Sequence, residues 1–454
     1  MRFVVALALA MVAGAAPAQG AGPKNIIIMF ADGVAATQWE LGRYSAHVLR
    51  NQAFAATDVV FKEGSLGLLS TDPRNAFVTD SAAAASAMST GVKVDNFVLS
   101  IAPDGKPLRT VMEAARGAGK KIGLVTTAEI YDASPAGFSV HAKNRRDSQS
   151  IVDQYLVMEP EVLLGGGRDY FLPKGAPGGK RSDGKDMVAA FAQKGYRVVR
   201  DTRELKSARG AKLLGLFADE DMAFEIDRDP AKEPSTAEMA QAALDALSGA
   251  SPNGFVLFVE NENPDSAGHY NDAACVMRAL WAFDDALKVV LDFRAKAPGD
   301  TLVIVTGDHE TGGLSATYAR AASGDGRLYV GVEHLKMLEG ITISFGAAAN
   351  TLGRKPDPEA LDKLIARHFP GFRLDVDLRE AILTQRQGDR NAPGPTQDAL
   401  ARMVARQTGF YWGTAGHTTE PVAVGAIGPG AELFRGYQDN TDFGRKLQRL
   451  IDAR

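Results

Sequence analysis

Four runs of apolar, mostly β-branched residues end in acids. NIIIMF (25–30) leads to Asp32, KIGLVTT (121–127) to Asp132, and GFVLFV (254–259) directly to Glu260, while TLVIVT (301–306) is followed by Gly307-Asp308-His309. One acid at a strand end is an ordinary helix cap. Four such ends, one carrying an Asp-His pair, concentrate negative charge that is unfavourable unless something cationic neutralises it, and divalent metals are the economical answer. The stretch VENENPDSAGHYND adds Asp265 and His269, four residues apart. One helical turn would put these two on one face, as chelation needs, although a surface ion pair has the same spacing. His417 lies in a Gly/Thr-rich turn, GTAGHTTEP, just before another strand-like run, PVAVGAI (421–427). Mixed His and carboxylate sets suit zinc, and all-oxygen sets suit magnesium.

The candidate nucleophile is Ser81, in FVTDSAAAASAMSTGVK. Asp80 or Ser81 caps the Ala-rich helix that follows, and capping alone would account for an isolated segment of this kind. A serine at a helix N-terminus is also placed to meet phosphate, because free backbone N–H groups and the helix dipole favour an anion. No histidine is near it in sequence to serve as a base, so a metal is the alternative means of lowering the hydroxyl pKa.

These residues need a scaffold that brings distant strand ends together. The five apolar runs are uninterrupted rather than alternating, as expected of strands buried on both faces of a parallel sheet. Between them lie helical patterns such as LRTVMEAARGAG, TAEMAQAALDALSG and a long amphipathic stretch capped near Asp272. The alternation predicts an α/β fold, a doubly wound, mostly parallel central sheet sandwiched by helices, with ligands at the carboxyl ends of the strands. From 316 to 412 the rhythm gives way to helical and loop signals, which read either as an inserted cap or as an irregular continuation of the core.

Composition narrows the function classes. With 51 Lys plus Arg against 55 Asp plus Glu, the net charge of −4 and the lack of basic runs give no sign of nucleic-acid binding. A single cysteine, Cys275, excludes an internal disulfide framework and Cys-rich metal sites, and seven histidines leave most of any metal ligation to carboxylates. The chain opens Met1-Arg2, runs apolar through FVVALALAMVAGAA and reaches Ala16-Pro17-Ala18. This reads as a signal peptide, residues 1–18, removed to leave a periplasmic or secreted protein without a membrane anchor.

The sequence resembles the alkaline phosphatase family of metal-dependent phosphomonoesterases over nearly all of 19–454. The resemblance rests on KNIIIMFADG, VTDSAAAASAMSTGVK, AEIYDASPAGFSVHAKNR, LLGGGRDYF, FEIDRDPAKEPSTAEMAQAAL, VLFVENENPDSAGH, VTGDHETGG and GHTTEPVAV, in that order. It implies Ser81 as the phosphorylated nucleophile of a double displacement. Asp265, His269 and His417 would hold one zinc, and Asp32, Asp308 and His309, with Ser81, a second. Asp32 would also bridge to a magnesium held by Asp132, Ser134 and Glu260, giving two zincs and one magnesium per chain. Arg145 would clamp phosphate through a planar fork that lysine cannot supply, steadied by Asp80. The implied substrates are small-molecule phosphate monoesters. Within the same superfamily the alternatives are a phosphodiesterase or a sulfatase, and outside it a metal- or phosphate-binding protein without turnover. Ser81 is followed by four alanines, not by the C/S-x-P-x-R setting of sulfatases. Ser266 stands where many relatives carry Lys or His, and Ser134 where some carry Thr. The 316–412 segment resembles family segments that cap the site, crown-like, or build a homodimer contact. Cys275 reads as core, His141 as packed or supporting a ligand, and His47, His334 and His368 carry no site signal.

Overall fold

Successive residues of the apolar runs serve opposite cores. Ile27 and Met29 belong to the cluster that also holds Leu257, Val259, Val303 and Val305. Ile26, Ile28 and Phe30 join the opposite cluster with Val256, Phe258, Leu302 and Ile304. A strand alternates its side chains between the two faces of a sheet, so a strand covered on both faces has no polar side. Each such large side chain gains about 1.5–3 kcal/mol on burial, which lets the sheet carry costly acids at one edge.

The computed structural model describes residues 22–453 apart from 211, 250, 321–326 and 389–390. The proposed signal peptide, 1–18, lies outside the described residues. In chain order the strands are β1 (Asn25–Ala31), β2 (Ser65–Leu69), β3 (Lys121–Glu129), β4 (Val162–Gly166), β5 (Arg197–Val199), β6 (Leu213–Leu216) and β7 (Phe255–Asn261). There follow β8 (Thr301–Thr306), β9 (Ser315–Ala316), β10 (Tyr318–Arg320), β11 (Arg327–Tyr329), β12 (Phe410–Tyr411), β13 (Val422–Ile427) and β14 (Gly436–Gln438). Ten of them form one sheet in the order β14-β2-β13-β8-β1-β7-β3-β4-β6-β5. Helices cover both faces, so the fold is the α/β sandwich expected, with a mostly parallel sheet.

PVAVGAI departs from the parallel expectation: β13 runs antiparallel to both neighbours, β8 and β2. An uninterrupted apolar run reports burial on two faces but not direction, so the sequence pattern carried no sign of the reversal. Its effect is to place the residues before β13, rather than after it, at the carboxyl ends of the parallel strands.

The 316–412 segment contains two short strand pairings, β10 with β11 and β9 with β12, and a set of helices. Its Leu335, Leu338, Phe345, Leu361 and Leu400 share a hydrophobic cluster with Leu280 and Phe283 of the helix Ala273–Lys296. Asp272 caps that helix through the Cys275 N–H at 3.1 Å and also accepts from the Phe345 N–H at 2.9 Å. One carboxylate thereby pins the segment to the long helix. Among the described residues no helix is long and apolar enough to cross a membrane.

Candidate metal centre and nucleophile

Strand register brings three acids to one level. Phe30 of β1 pairs with Glu260 of β7 and with Thr306 of β8, so Glu260, at the end of its strand, meets Asp32 and Asp308 just beyond theirs. All three are about 1% exposed. Thr126 of β3 donates to Glu260 Oε2 at 2.5 Å and Ser134 to Asp32 Oδ2 at 3.3 Å. Asp32 Oδ1, Glu260 Oε1 and Asp308 Oδ2 have no hydrogen-bond partner. Burial, reinforced by the neighbouring carboxylates, raises Asp32 well above its ordinary range. Burial also pushes Asp308 up to about 7 and Glu260 to about 8. Orphaned, desolvated carboxylate oxygens facing one another describe a place made for cations.

The histidines carry the same implication through their tautomers. His269 Nδ1 lies 2.7 Å from the Ala415 carbonyl oxygen, and His417 Nδ1 lies 2.8 Å from that of Thr79. Carbonyls only accept, so both Nδ1 atoms carry the proton and both Nε2 atoms turn lone pairs inward. Those Nε2 atoms are 3.2 Å apart, and His269 Nε2 is also 3.2 Å from Asp265 Oδ2. Two lone pairs at that distance need a proton or a metal between them. With no ion bound a proton serves: Asp265 raises His269 to about 9 against the opposing effect of burial. The sequence expectation that Asp265 and His269 share a face of one turn holds, on the helix Asn263–His269.

His309 stands between the two sets. Its ring stacks on His417 with centroids 3.6 Å apart, and its Nε2 lies 3.2 Å from Asp308 Oδ2 and 3.5 Å from Asp32 Oδ1. Ligand atoms of Asp265, His309 and His417 lie within 4.8 Å of one another, as do those of Asp32, Asp308 and His309. Complete burial holds the His309 pKa well below its usual value, which keeps the ring neutral and able to ligate. Both mixed sets fit zinc, and the oxygen-only set of Asp32, Asp132, Ser134 and Glu260 fits magnesium.

Ser81 opens the helix Ser81–Thr90, and Asp80 is its N-cap, accepting from the Ala83 N–H at 3.0 Å. At Ala85 the helix is crowded: a Cβ on Gly137 would sit 2.9 Å from that of Ala85, so the two backbones meet through small residues. Although no histidine is near Ser81 in sequence, the fold puts His309 Nε2 3.2 Å from its Oγ. Arg145 is held by Asp132 at 2.9 Å and by Asp80 at 3.4 Å. Asp132, expected as a magnesium ligand, also hydrogen-bonds the arginine, and Asp80 is the more distant of the two supports.

Sequence reasoning missed several supports. Phe97 adopts φ +71, an unfavourable backbone for phenylalanine. Its N–H donates to Asp80 Oδ2 at 3.1 Å, and its carbonyl accepts from the Arg145 N–H at 2.8 Å. Buried Glu310 accepts from Gln38 Nε2, Thr418 Oγ1 and the Gly313 N–H at 2.5–2.9 Å, tying the loop after His309 to the turn that carries His417. Thr311 donates to Asp265. Glu310 and Thr311 directly follow His309 in GDHETGG, a signal the sequence did contain. Nothing in the residue types marked Phe97. His141 lies away from the cluster, its Nε2 2.9 Å from the Leu108 carbonyl oxygen. His47, His334 and His368 pair locally with Asp58, the Gly331 N–H and Thr342. Cys275 is buried in the core.

Comparison with known proteins agrees with this geometry. The family model for alkaline phosphatase matches residues 23–452. Alkaline phosphatase 3 of Bacillus subtilis is 31% identical over 444 residues, covering 94% of this chain and 89% of that protein. The repressible alkaline phosphatase of Saccharomyces cerevisiae is also 31% identical, over 467 residues, covering 94% of this chain and 81% of that protein. The crystal structure of Thermus thermophilus alkaline phosphatase superposes with a TM-score of 0.86 at 32% identity, covering 96% of this chain and 93% of that one.

Proposed function

The chain belongs to the alkaline phosphatase family of phosphatases, and from that premise we propose that it hydrolyses phosphate monoesters through a phosphoserine on Ser81. The observation that carries the reading is the convergence, on one buried strand edge, of Ser81, a phosphate-sized cation at Arg145 and sets of orphaned metal-ligating atoms. Asp265, His269 and His417 would hold one zinc and Asp32, Asp308 and His309 the other, with magnesium at Asp132, Ser134 and Glu260 beside Asp32. Bound there, these ions would supply Lewis acidity and positive charge for the serine oxygen, the leaving group and the phosphate.

The chain's own residues do the rest. Asp80 fixes Ser81 in the first helical turn, where the helix dipole favours the incoming dianion. Arg145, braced by Asp132 and Asp80, offers parallel N–H groups to two non-bridging oxygens and orients phosphorus toward the Ser81 Oγ. Attack forms the Oγ–P bond as the ester oxygen leaves. Water then cleaves the phosphoserine from the opposite side and returns Ser81. The Nδ1 contacts of His269 and His417 keep both Nε2 lone pairs pointed inward throughout. The N-terminal pattern supports export, and the 316–412 segment is read as an insertion on the catalytic domain.

Hydrolysis of an aryl phosphate, an aryl phosphodiester and an aryl sulfate, each with and without chelator, tests the reading in wild type and in Ser81→Ala. Chelator-sensitive monoester hydrolysis, largely lost in the variant, is expected. Full monoester activity in Ser81→Ala would remove the serine from the mechanism, and a preference for the diester or sulfate would change the substrate class.

A further inference from the structure

A second group of acids lies beside the catalytic edge and belongs to neither zinc set nor the magnesium pocket. Glu262, two residues past Glu260 on the turn out of β7, is 8% exposed, and its Oε2 has no hydrogen-bond partner. Its other oxygen accepts from the Ser266 hydroxyl. Glu262, Ser266 and Asp221 line a cavity of about 290 Å³ that Tyr270 and Asn263 also border. Asp221 is exposed at its mouth and accepts from the Glu129 N–H at 3.1 Å, with the Glu129 carboxyl group against its own.

What separates this group from an ordinary acidic surface is its lack of cations. The acids around it are answered: Asp219 by Arg168, Glu220 by Lys180 and Glu225 by Arg228. Among the described residues Asp221, Glu262 and Glu129 form no ion pair, and the negative charges of Asp221 and Asp265 both act on Glu262. A buried carboxylate oxygen with no partner, facing a cavity with a second carboxylate at its entrance, is costly as it stands. A lone hydroxyl cannot neutralise it.

We propose that Glu262 and Asp221, with the Ser266 hydroxyl, bind an additional hard divalent cation, calcium or magnesium, in this cavity. Two carboxylates, a hydroxyl and waters filling the remaining positions make an all-oxygen set of the kind these ions take, and the absence of histidine or cysteine disfavours zinc. The cavity opens to solvent at Asp221, so the ion enters without passing through the catalytic edge. Through the turn Glu260–Asp265 it would also screen the ligands of both metal sets from a charge they otherwise face.

The test uses protein loaded with its resident metals, their content fixed by elemental analysis. Calcium and, separately, magnesium are titrated calorimetrically, and terbium serves as a luminescent probe excited through Tyr270. One further site per chain is expected, weakened at least about tenfold in both Asp221→Asn and Glu262→Gln and unchanged in Glu225→Gln. Asp221 is exposed, so its variant decides the matter if Glu262→Gln folds poorly. No binding beyond the resident metals, or undiminished binding in Asp221→Asn, would overturn the proposal. Repeating the titration in Ser81→Ala separates its fate from that of the nucleophile.

Discussion

Around Arg181, whose side chain is fully buried, acids and bases answer one another: its guanidinium reaches Asp153 at 2.8 Å and Asp183 at 2.6 Å, and Lys185 meets the same two acids. At the ends of β1, β7 and β8 the protein buries Asp32, Glu260 and Asp308 equally deeply and leaves an oxygen of each without a partner. The first arrangement is complete in the polypeptide; the second is complete only with ions. In these two places, charge held within the fold is paired inside the chain, and charge at the proposed catalytic edge is left open. The same substitution type should have opposite effects in the two places.

Arg181→Met should show the largest effect. It leaves Asp153 and Asp183 with Lys185 alone and removes the buried hydrogen bond to the Tyr170 carbonyl, for a loss of about 2–4 kcal/mol in urea unfolding. A loss below about 0.5 kcal/mol, the range of ordinary surface pairs, would show that this pairing is incidental. Asp308→Asn should go the other way in chelator-treated protein, raising stability by about 1–3 kcal/mol because an uncompensated buried acid is gone. The same variant should lose metal and monoester hydrolysis, and lower stability without metal would contradict the contrast.

Asp272 sits between the extremes, a buried acid satisfied by backbone N–H groups alone. Asp272→Asn keeps one acceptor where the Cys275 and Phe345 N–H groups require two, and should cost about 1–2 kcal/mol. Proteolysis within 316–412 should quicken correspondingly, and unchanged cleavage would show that this tie does not secure the segment.

The subtlest difference is in pH. Without metals Asp308 and Glu260 titrate at about 7 and about 8, against ordinary values of 3.8 and 4.5. Raised carboxyl values favour the folded state fully below the unfolded values, and that contribution is lost as pH rises through the folded ones. Metal binding has the reverse trend, since protons compete for the same oxygens. The Tm gap between metal-loaded and chelated protein should therefore widen from about pH 6 to about pH 9. A constant gap in scanning calorimetry would mean these acids are not the ones the ions displace protons from.

What could be read in advance follows the same physics. β1, β7 and β8 were legible because double-sided burial leaves only apolar residues, and their terminal acids stood out against that background. β2 was not singled out: SLGLL alternates buried and exposed positions and includes a glycine. Three-residue β5 is half exposed at the sheet's edge, with too few residues for a pattern. Candidate ligands were legible as residue types at strand ends, but not their partners across the chain. The approach of His309 to Ser81, the turning of Asp132 to Arg145 and the strained Phe97 backbone all depend on tertiary closure, which no local spacing encodes.

The reversed strand β13 has a consequence in time. Because it runs against its neighbours, the turn before it supplies His417, and that turn is made 338 residues after the Thr79 carbonyl it contacts. A chain emerging from the ribosome carries Ser81, the proposed nucleophile, early and holds it for most of synthesis beside an unfinished cluster. His417 is the last of the candidate ligands in chain order. Until it is made, the acids at the other strand ends lack the proposed histidine ligand, so on that reading a chain cut short before it would not close the set. On the proposed mechanism, competence for catalysis therefore waits on a turn far from Ser81 in the chain.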